Sequence, residues 1–507
     1  MALNFGQYLR RECGLETGDI VCLITYNNDY HGIGVLGVLA AGGVYTSLDM
    51  TSTENEIQTT VSTIKPNILI GFEGNVDYLK QLKQNVDSIK TILLHKKIAK
   101  NDYPDDTDNN DLLITNIITN ITTNTTPNKS DTDSDDNNSF VPISRLPSDM
   151  ATLIMTSGST GAQKAVIWTN RQWLANVSIR RHPEVMSPTD SYADKIILSR
   201  LYCHGAGIQV LFQSIVLGWQ MVVISYPPDI SLAHDWFFNI LNKYNVSYCF
   251  FISNDLLYLL NNTDKYTKQY LQSVGHYSIV GQKVSQQLYD QIGHIYGSEK
   301  FIITYGMTEC FLVMTKPFSR QHMWTSADNI GCVVPGMEVK IIDESGNSLP
   351  ANQTGQICIR GPTLTSGYYG NKDVFTKFLT NDGFFMSGDL AYYDENEFFY
   401  FVDRIKDIIK FCGITLSPIE LENHLLTHPS VEMAAVIGID SELYVQIPMA
   451  FVTLNTGAID KAGDIKEFVN KRVDVNKQLR GGLKILDKMP LTSFAFKLIK
   501  GISDLGI

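Results

Sequence analysis

No stretch of about 18 consecutive apolar residues occurs in this 507-residue chain, so no helix is expected to span a membrane. No apolar h-region follows Met1-Ala-Leu-Asn-Phe-Gly, which runs straight into Arg10-Arg11-Glu12, so no secretion signal is expected. The final Leu505-Gly506-Ile507 is not a peroxisomal address. The eight cysteines (13, 22, 203, 249, 310, 332, 358 and 412) include no CxxC pair. That argues against a disulfide framework or a zinc site and suits a reducing compartment. An excess of positive charge is also lacking: 41 Lys and Arg face 53 Asp and Glu, for a net charge of −12. Nucleic acid is therefore not the expected main partner. A cytoplasmic location and a monomeric state are the expectations.

What is present is an ordinary globular balance, 44% apolar and 19% charged residues. Strands are predicted at 19–27, 44–49, 68–71 and 90–94, with helical stretches between, the first at 30–42. This alternation implies a doubly wound α/β layer. From about 99 to 140 Asn, Asp, Thr and Ser dominate, which predicts a mobile loop. Alternation resumes from 150 to about 310. Residues 339–361 suggest a small antiparallel unit. A charge-rich boundary follows at Asp403-Arg404-Ile405-Lys406-Asp407. Beyond it a compact α+β domain is predicted, with helices at 418–427 and 462–475 and strands near 433–438 and 448–453. The fold class is thus α/β, a large N-terminal region with a small β unit and a small C-terminal α+β domain.

The most informative stretch is Thr156, Ser157, Gly158, Ser159, Thr160 and Gly161, followed by Lys164. It comes straight after a buried-strand pattern, Ala151–Met155. Glycines let the backbone approach an anion, and N–H and O–H donors suit phosphate oxygens. Lys164 adds a mobile cation. The P-loop pattern fails, because Gln163 stands where the second glycine belongs and Ala165 follows Lys164. A second glycine pattern, Gly32-Ile33-Gly34-Val35-Leu36-Gly37, matches the dinucleotide fingerprint. However, Asp49 falls too early for the ribose carboxylate.

Several separated blocks recur together. They are the hydroxyl loop, Tyr305-Gly306-Met307-Thr308-Glu309 after a short strand at 301–303, Ser387-Gly388-Asp389, and Asp403 to Lys410 continuing to Ser417-Pro418-Ile419-Glu420. In this order and spacing they resemble the adenylate-forming superfamily of acyl-CoA synthetases, aryl-CoA ligases and beetle-type luciferases, from about residue 8 to 500. The resemblance implies ATP-dependent activation of a small carboxylic acid as acyl-AMP, then thioester formation with coenzyme A; the mixed aliphatic and polar stretches 203–208 and 279–284 favour a medium or long fatty acid over an aromatic one. A luciferase-like oxidation of the adenylate is the alternative it leaves open. It implies that loop 156–161 with Lys164 binds the ATP phosphates and that Tyr305 stacks on adenine beside Gly306 and Met307. Thr308 would contact phosphate, and Glu309 would hold Mg²⁺. Glu309 also reads as a helix start, where the dipole alone would favour it. Asp389 would hold the ribose with Arg404. Cys203-His204-Gly205-Ala206-Gly207 resembles the block abutting the acid carboxylate. Arg181 and Gly281 fall where the acid pocket is lined. The division implied is 1–402, a hinge at 403–406 containing Lys406, and a mobile lid at 407–507, whose Lys410 enters the site for the second half-reaction.

The chain departs from the family at its end. The family's closing motif resembles Pro-x-Thr-x-x-Gly-Lys, whereas this chain reads Pro490-Leu491-Thr492-Ser493-Phe494-Ala495-Phe496-Lys497. Phe496 takes the lysine's place, and Lys497 follows one residue late, on the opposite face of an extended segment. A bulge restoring Lys497, substitution by Lys500, or an impaired nucleotide- or acyl-binding homologue are the outcomes left open. The chain also starts about 40–50 residues later than usual for the family, and Gly281-Gln282-Lys283 replaces a more common Gly-Ala-Pro.

Overall fold

The computed structural model describes residues 1–50, 52–95, 140–156, 163–185, 196–199, 202–224, 233–281, 284, 286–317, 319–320, 326–411, 414–441, 443–455 and 457–489. The segment expected to be a mobile loop at 99–140 lies outside them apart from Phe140. The chain forms two compact units. One is Met1–Val177 with Tyr192–Ala233 and Thr365–Thr376; the other is Ser178–Ser191 with His234–Leu364 and Lys377–Ile507.

The first unit is built on a six-stranded sheet. In spatial order its strands are Thr91–His95, Ile68–Phe72, Ile20–Ile24, Val44–Leu48, Met150–Thr156 and Lys164–Thr169. All neighbours are parallel except the last pair. Continuous apolar runs such as Ile20-Val-Cys-Leu-Ile24, buried at every position, are what a parallel sheet covered on both faces requires. Ile20, Cys22, Ile24, Val44, Leu69 and Leu153 pack in one core with Ile57, Val61 and Ile64 of the helix Glu54–Ile64. Each such side chain contributes about 1.5–3 kcal/mol on burial. Thr53 starts that helix with a reciprocal cap: its hydroxyl accepts from Glu56 N at 3.3 Å, and Glu56 Oε2 accepts from Thr53 N at 2.8 Å.

The glycine pattern at 32–37 lies inside the helix Asp29–Ala40, not in a turn before it. Its glycines serve packing. A Cβ at Gly37 would stand 2.6 Å from Phe5 Cδ1, and one at Gly6 would stand 2.9 Å from Gly37 O, so the helices Ala2–Arg11 and Asp29–Ala40 touch through glycine. This removes the structural basis of the dinucleotide fingerprint.

In the second unit the strands Tyr248–Phe251, His276–Ile279 and Phe301–Met307 are parallel. The sheet continues antiparallel through Phe311–Thr315, Asn329–Val333, Phe399–Arg404, Phe385–Tyr393, Gly355–Arg360 and Glu338–Ile342. The antiparallel pair predicted within 339–361 is therefore the edge of a larger sheet. A separate five-stranded sheet holds Ile409–Phe411, Ile414–Leu416, Val431–Ser441, Val445–Leu454 and Gly482–Ile485. It packs its own core of Ile409, Phe411, Leu421, Leu425, Val436, Val452, Ile465 and Val469. The helix Pro418–Leu426 starts on Ser417, whose hydroxyl accepts from Glu420 N, with proline at the first position.

Candidate functional site

In the first unit, Met150–Thr156 and Lys164–Thr169 pair antiparallel with Thr156 opposite Lys164. The two ends of the hydroxyl loop are thereby side by side. Ser157, Gly158, Ser159, Thr160 and Gly161 lie outside the described residues. Lys164 Nζ stands 4.9 Å from the ring centroid of buried Tyr368, a cation–π contact that holds the ammonium at the loop's base. Tyr368 is brought there by backbone pairing: Ile167 N donates to Gly367 O at 3.0 Å and Tyr369 N to Ala165 O at 2.8 Å. Nothing in the local sequence announces Tyr368 as a neighbour of Lys164.

His204 is the N-cap residue of the helix Gly205–Leu217, with extended backbone. Gly205 is buried and Ala206 half-buried at the helix start. Burial pulls the imidazole below the usual histidine range, and the neighbouring Asp49 carboxylate opposes that shift. Burial, with the Asp49 charge, pushes the Cys203 thiol well up.

In the second unit, Tyr305 sits inside the strand Phe301–Met307, which runs further than the short strand predicted at 301–303. Its hydroxyl donates to Asp389 Oδ2 at 2.7 Å. Burial, then the Asp389 charge, pushes the phenol well up, so it remains a donor. Asp389 is only 4% exposed and pairs in register with Arg404, whose Nε lies 3.3 Å from Asp389 Oδ1. The sequence blocks at 305, 389 and 404 thus converge on one buried carboxylate. Asp389 N also donates to Ser387 Oγ at 3.1 Å, and Gly388 takes φ +77°, a conformation glycine adopts without strain.

Thr308 and Glu309 occupy the tight turn between Phe301–Met307 and Phe311–Thr315, so Glu309 does not begin a helix. The two strands bulge between Tyr305 and Gly306, and a Cβ at Gly306 would collide with the Phe311 carbonyl oxygen. Glycine at 306 is therefore a packing requirement of the turn that carries Thr308 and Glu309. Met307 is half-buried beside it. Glu309 is half-buried, and its carboxylate is the hard oxygen donor that magnesium takes. Gly281 follows the strand His276–Ile279 with φ +83° and open space where a Cβ would stand.

Arg181 is exposed just past the helix Asn170–Arg180, whereas Arg180 is 6% exposed with its guanidinium 5.7 Å from the Phe250 ring centroid. The buried cation of this pair is therefore Arg180, which no sequence motif marks. Lys410 is exposed on Ile409–Phe411, with its backbone N donating to Gln446 Oε1 at 3.0 Å. Lys406 is exposed as well. Asp403 is buried, accepts from Ser417 Oγ and takes Arg404 N at 2.7 Å. Lys497 and Phe496 lie outside the described residues.

Parallel α/β layers, an antiparallel continuation and a separately cored C-terminal sheet are the architecture of the adenylate-forming class. Residues 1–369 match the AMP-binding enzyme family, and residues 420–494 match the AMP-binding enzyme C-terminal domain. The chain belongs to that family. It is 27% identical over 492 residues to 4-coumarate--CoA ligase-like 1 of Arabidopsis thaliana, covering 94% of this chain and 82% of the relative. It is 26% identical over 496 residues to luciferin 4-monooxygenase of Photinus pyralis, covering 97% and 84%. The fold is that of ATP-bound MatB from Rhodopseudomonas palustris, with a TM-score of 0.80 at 19% identity and coverage of 97% and 89%. No described helix is long and apolar enough to cross a membrane.

Proposed function

We propose that this chain is an ATP-dependent acid–thiol ligase acting on a fatty acid. The acid's carboxylate oxygen attacks the α-phosphorus of ATP, giving acyl-AMP and pyrophosphate. The thiol of coenzyme A then takes the acyl group, releasing AMP and a proton. Two anions must come within about 3–3.5 Å for the first step, which demands fixed cations and donors more than a nucleophilic side chain.

The single observation that carries this reading is the buried Asp389, held between Tyr305 and Arg404. A buried carboxylate with part of its acceptor capacity committed to fixed donors is suited to accept both hydroxyls of a ribose. Lys164 and loop 156–161 bind the phosphates, His204 with Gly205 and Ala206 meets the acid, and Arg181 and Gly281 line its pocket. Thr308 contacts phosphate, and Glu309 would hold Mg²⁺, which supplies charge neutralisation when bound. The division at 403–406 lets residues 407–507 turn so that Lys410 serves thioester formation. The enzyme is cytoplasmic and monomeric on this reading.

One observation favours a second reading. Phe496 stands in the family's lysine position, which favours an impaired nucleotide- or acyl-binding homologue. Pyrophosphate release with a panel of fatty and aromatic acids decides between the two. The ligase reading expects acid-dependent release that needs Asp389, with acyl-CoA formed on adding coenzyme A. No release with any acid, while ATP binding persists, supports the second reading. Light without thioester supports a luciferase-like oxidation.

A further inference from the structure

We propose that Asp49, Cys203 and His204 form a site for a zinc-class divalent cation. Their donor atoms are a carboxylate oxygen, a thiol sulfur and an imidazole nitrogen, all within 4.8 Å of one another. Donors sharing one tetrahedral zinc stand about 3.3–3.8 Å apart, given metal–ligand distances of about 2.0–2.3 Å. Closing the cluster by about 1 Å therefore completes three corners of a tetrahedron, a rotamer adjustment rather than a backbone rearrangement. The fourth corner is left for water or an exogenous ligand, the open pattern of non-structural zinc sites. The donor set also selects the ion. Thiolate and imidazole suit Zn²⁺ and Co²⁺, whereas Mg²⁺ and Ca²⁺ take oxygen alone.

Two chain segments supply these donors, and a shared set of contacts holds both in place. Asp49 follows the strand Val44–Leu48. Within that strand Ser47 Oγ lies 3.1 Å from His31 Nε2. Tyr202 immediately precedes Cys203 and stacks on the same His31 ring, with centroids 5.1 Å apart. Tyr202 N donates to Asn27 Oδ1 at 3.1 Å, while Asn27 Nδ2 donates to Ile224 O at 2.8 Å. His31 therefore fastens the residue two before Asp49 to the residue one before Cys203. Outer contacts of this kind fix ligand geometry before a metal arrives. The absence of a CxxC pair does not bear on this site, because its three donors come from two distant stretches of chain.

The metal site does not rest on the proposed function.

The test is a Co²⁺ titration of the full-length, reduced protein without nucleotide, followed by the thiolate-to-cobalt charge-transfer absorption and completed by Zn²⁺ displacement. The proposal expects a band saturating at one equivalent, abolished in Cys203→Ser and bleached by Zn²⁺. Asp49→Asn, which keeps shape and every cysteine, is expected to weaken Co²⁺ binding more than about tenfold. Thermal melts establish that each variant is folded. No thiolate band, a band that survives Cys203→Ser, or unchanged affinity in Asp49→Asn overturns the proposal. Unchanged affinity would mean that Asp49 serves only to orient His204. Should Cys203→Ser fail to fold, the Asp49→Asn affinity alone decides. Metal binding is read independently of pyrophosphate release, so the site and the ligase reading fail separately.

Discussion

The Tyr305 hydroxyl donates a 2.7 Å hydrogen bond to Asp389, whose other carboxylate oxygen lies 3.3 Å from Arg404 Nε. Residues from two strands therefore aim at one buried anion on a third. In Asp389→Asn the carboxylate's charge is lost while its volume stays. Hydrogen bonds to a charged group are worth about 1.5–3 kcal/mol, so the KM for ATP is expected to rise about tenfold to a hundredfold. Pyrophosphate exchange kinetics check this, and an unchanged KM would remove Asp389 from nucleotide binding.

Tyr305→Phe keeps the ring and removes only the donor. Asp389 then stays buried with one partner fewer, and the protein is expected to lose about 1–3 kcal/mol of stability. Denaturant unfolding measures it. Double-mutant analysis with Asp389→Asn should show clear non-additivity, because the two side chains touch.

Lys164 sits opposite Thr156 and over the Tyr368 ring. Lys164→Met preserves the aliphatic contact and deletes the charge. The expected result is a fall in the adenylation rate of about 10²–10³-fold, the cost of one preorganised charge-stabilising group. Single-turnover pyrophosphate release reads it directly. A full rate in Lys164→Met contradicts the phosphate role.

Asp235 gives a pH prediction independent of the site. Its carboxylate lies 2.8 Å from Lys265 Nζ and accepts from Tyr258 and Tyr266. The Lys265 hydrogen bond first, then those of the tyrosines, draws its pKa to about 2 from 3.8. The folded value is depressed, so the stabilisation is present above pH 3.8 and is lost as pH falls toward 2. With partial exposure allowed for, it amounts to about 1–2 kcal/mol. Asp235→Asn should lower the melting temperature at pH 6 and flatten its fall between pH 4 and 2. A parallel fall in both proteins would contradict the assignment.

Phe496→Lys tests the departure at the chain's end. If the rest of the site is intact, a large gain in pyrophosphate release is expected. No gain would mean that Lys497 or another lysine already serves, or that the defect lies elsewhere.

Much of the fold was legible because parallel strands need apolar side chains on both faces. Ile20–Ile24 and Ile68–Phe72 are written that way, and both are strands as predicted. The strand Phe301–Met307 runs past the 301–303 expected from sequence, where the apolar run ends at Thr304. In the structure Gly306 permits a bulge, and Phe311 turns the chain back at φ +52°. That geometry places Glu309 in a turn, where local sequence suggests a helix start.

At the candidate site, Asp389 and Arg404 were legible through their motif blocks, and the register of two neighbouring strands explains their meeting. Arg181 is marked by the family resemblance, whereas nothing in the local sequence marks its neighbour Arg180 as the buried one, since one residue at a helix end is about 100° of rotation. Asp49 beside His204 was invisible for a different reason. The contact joins segments far apart in sequence: the residue just after the strand Val44–Leu48 and the residue that caps the helix Gly205–Leu217.

The most direct measurement is calorimetric titration of the purified full-length chain with ATP and magnesium, beside its Asp389→Asn variant. One nucleotide per chain is expected for the unaltered protein, with binding weakened about tenfold or more in the variant. Correctly folded protein that takes up no ATP, or a variant that binds it equally well, would contradict the account.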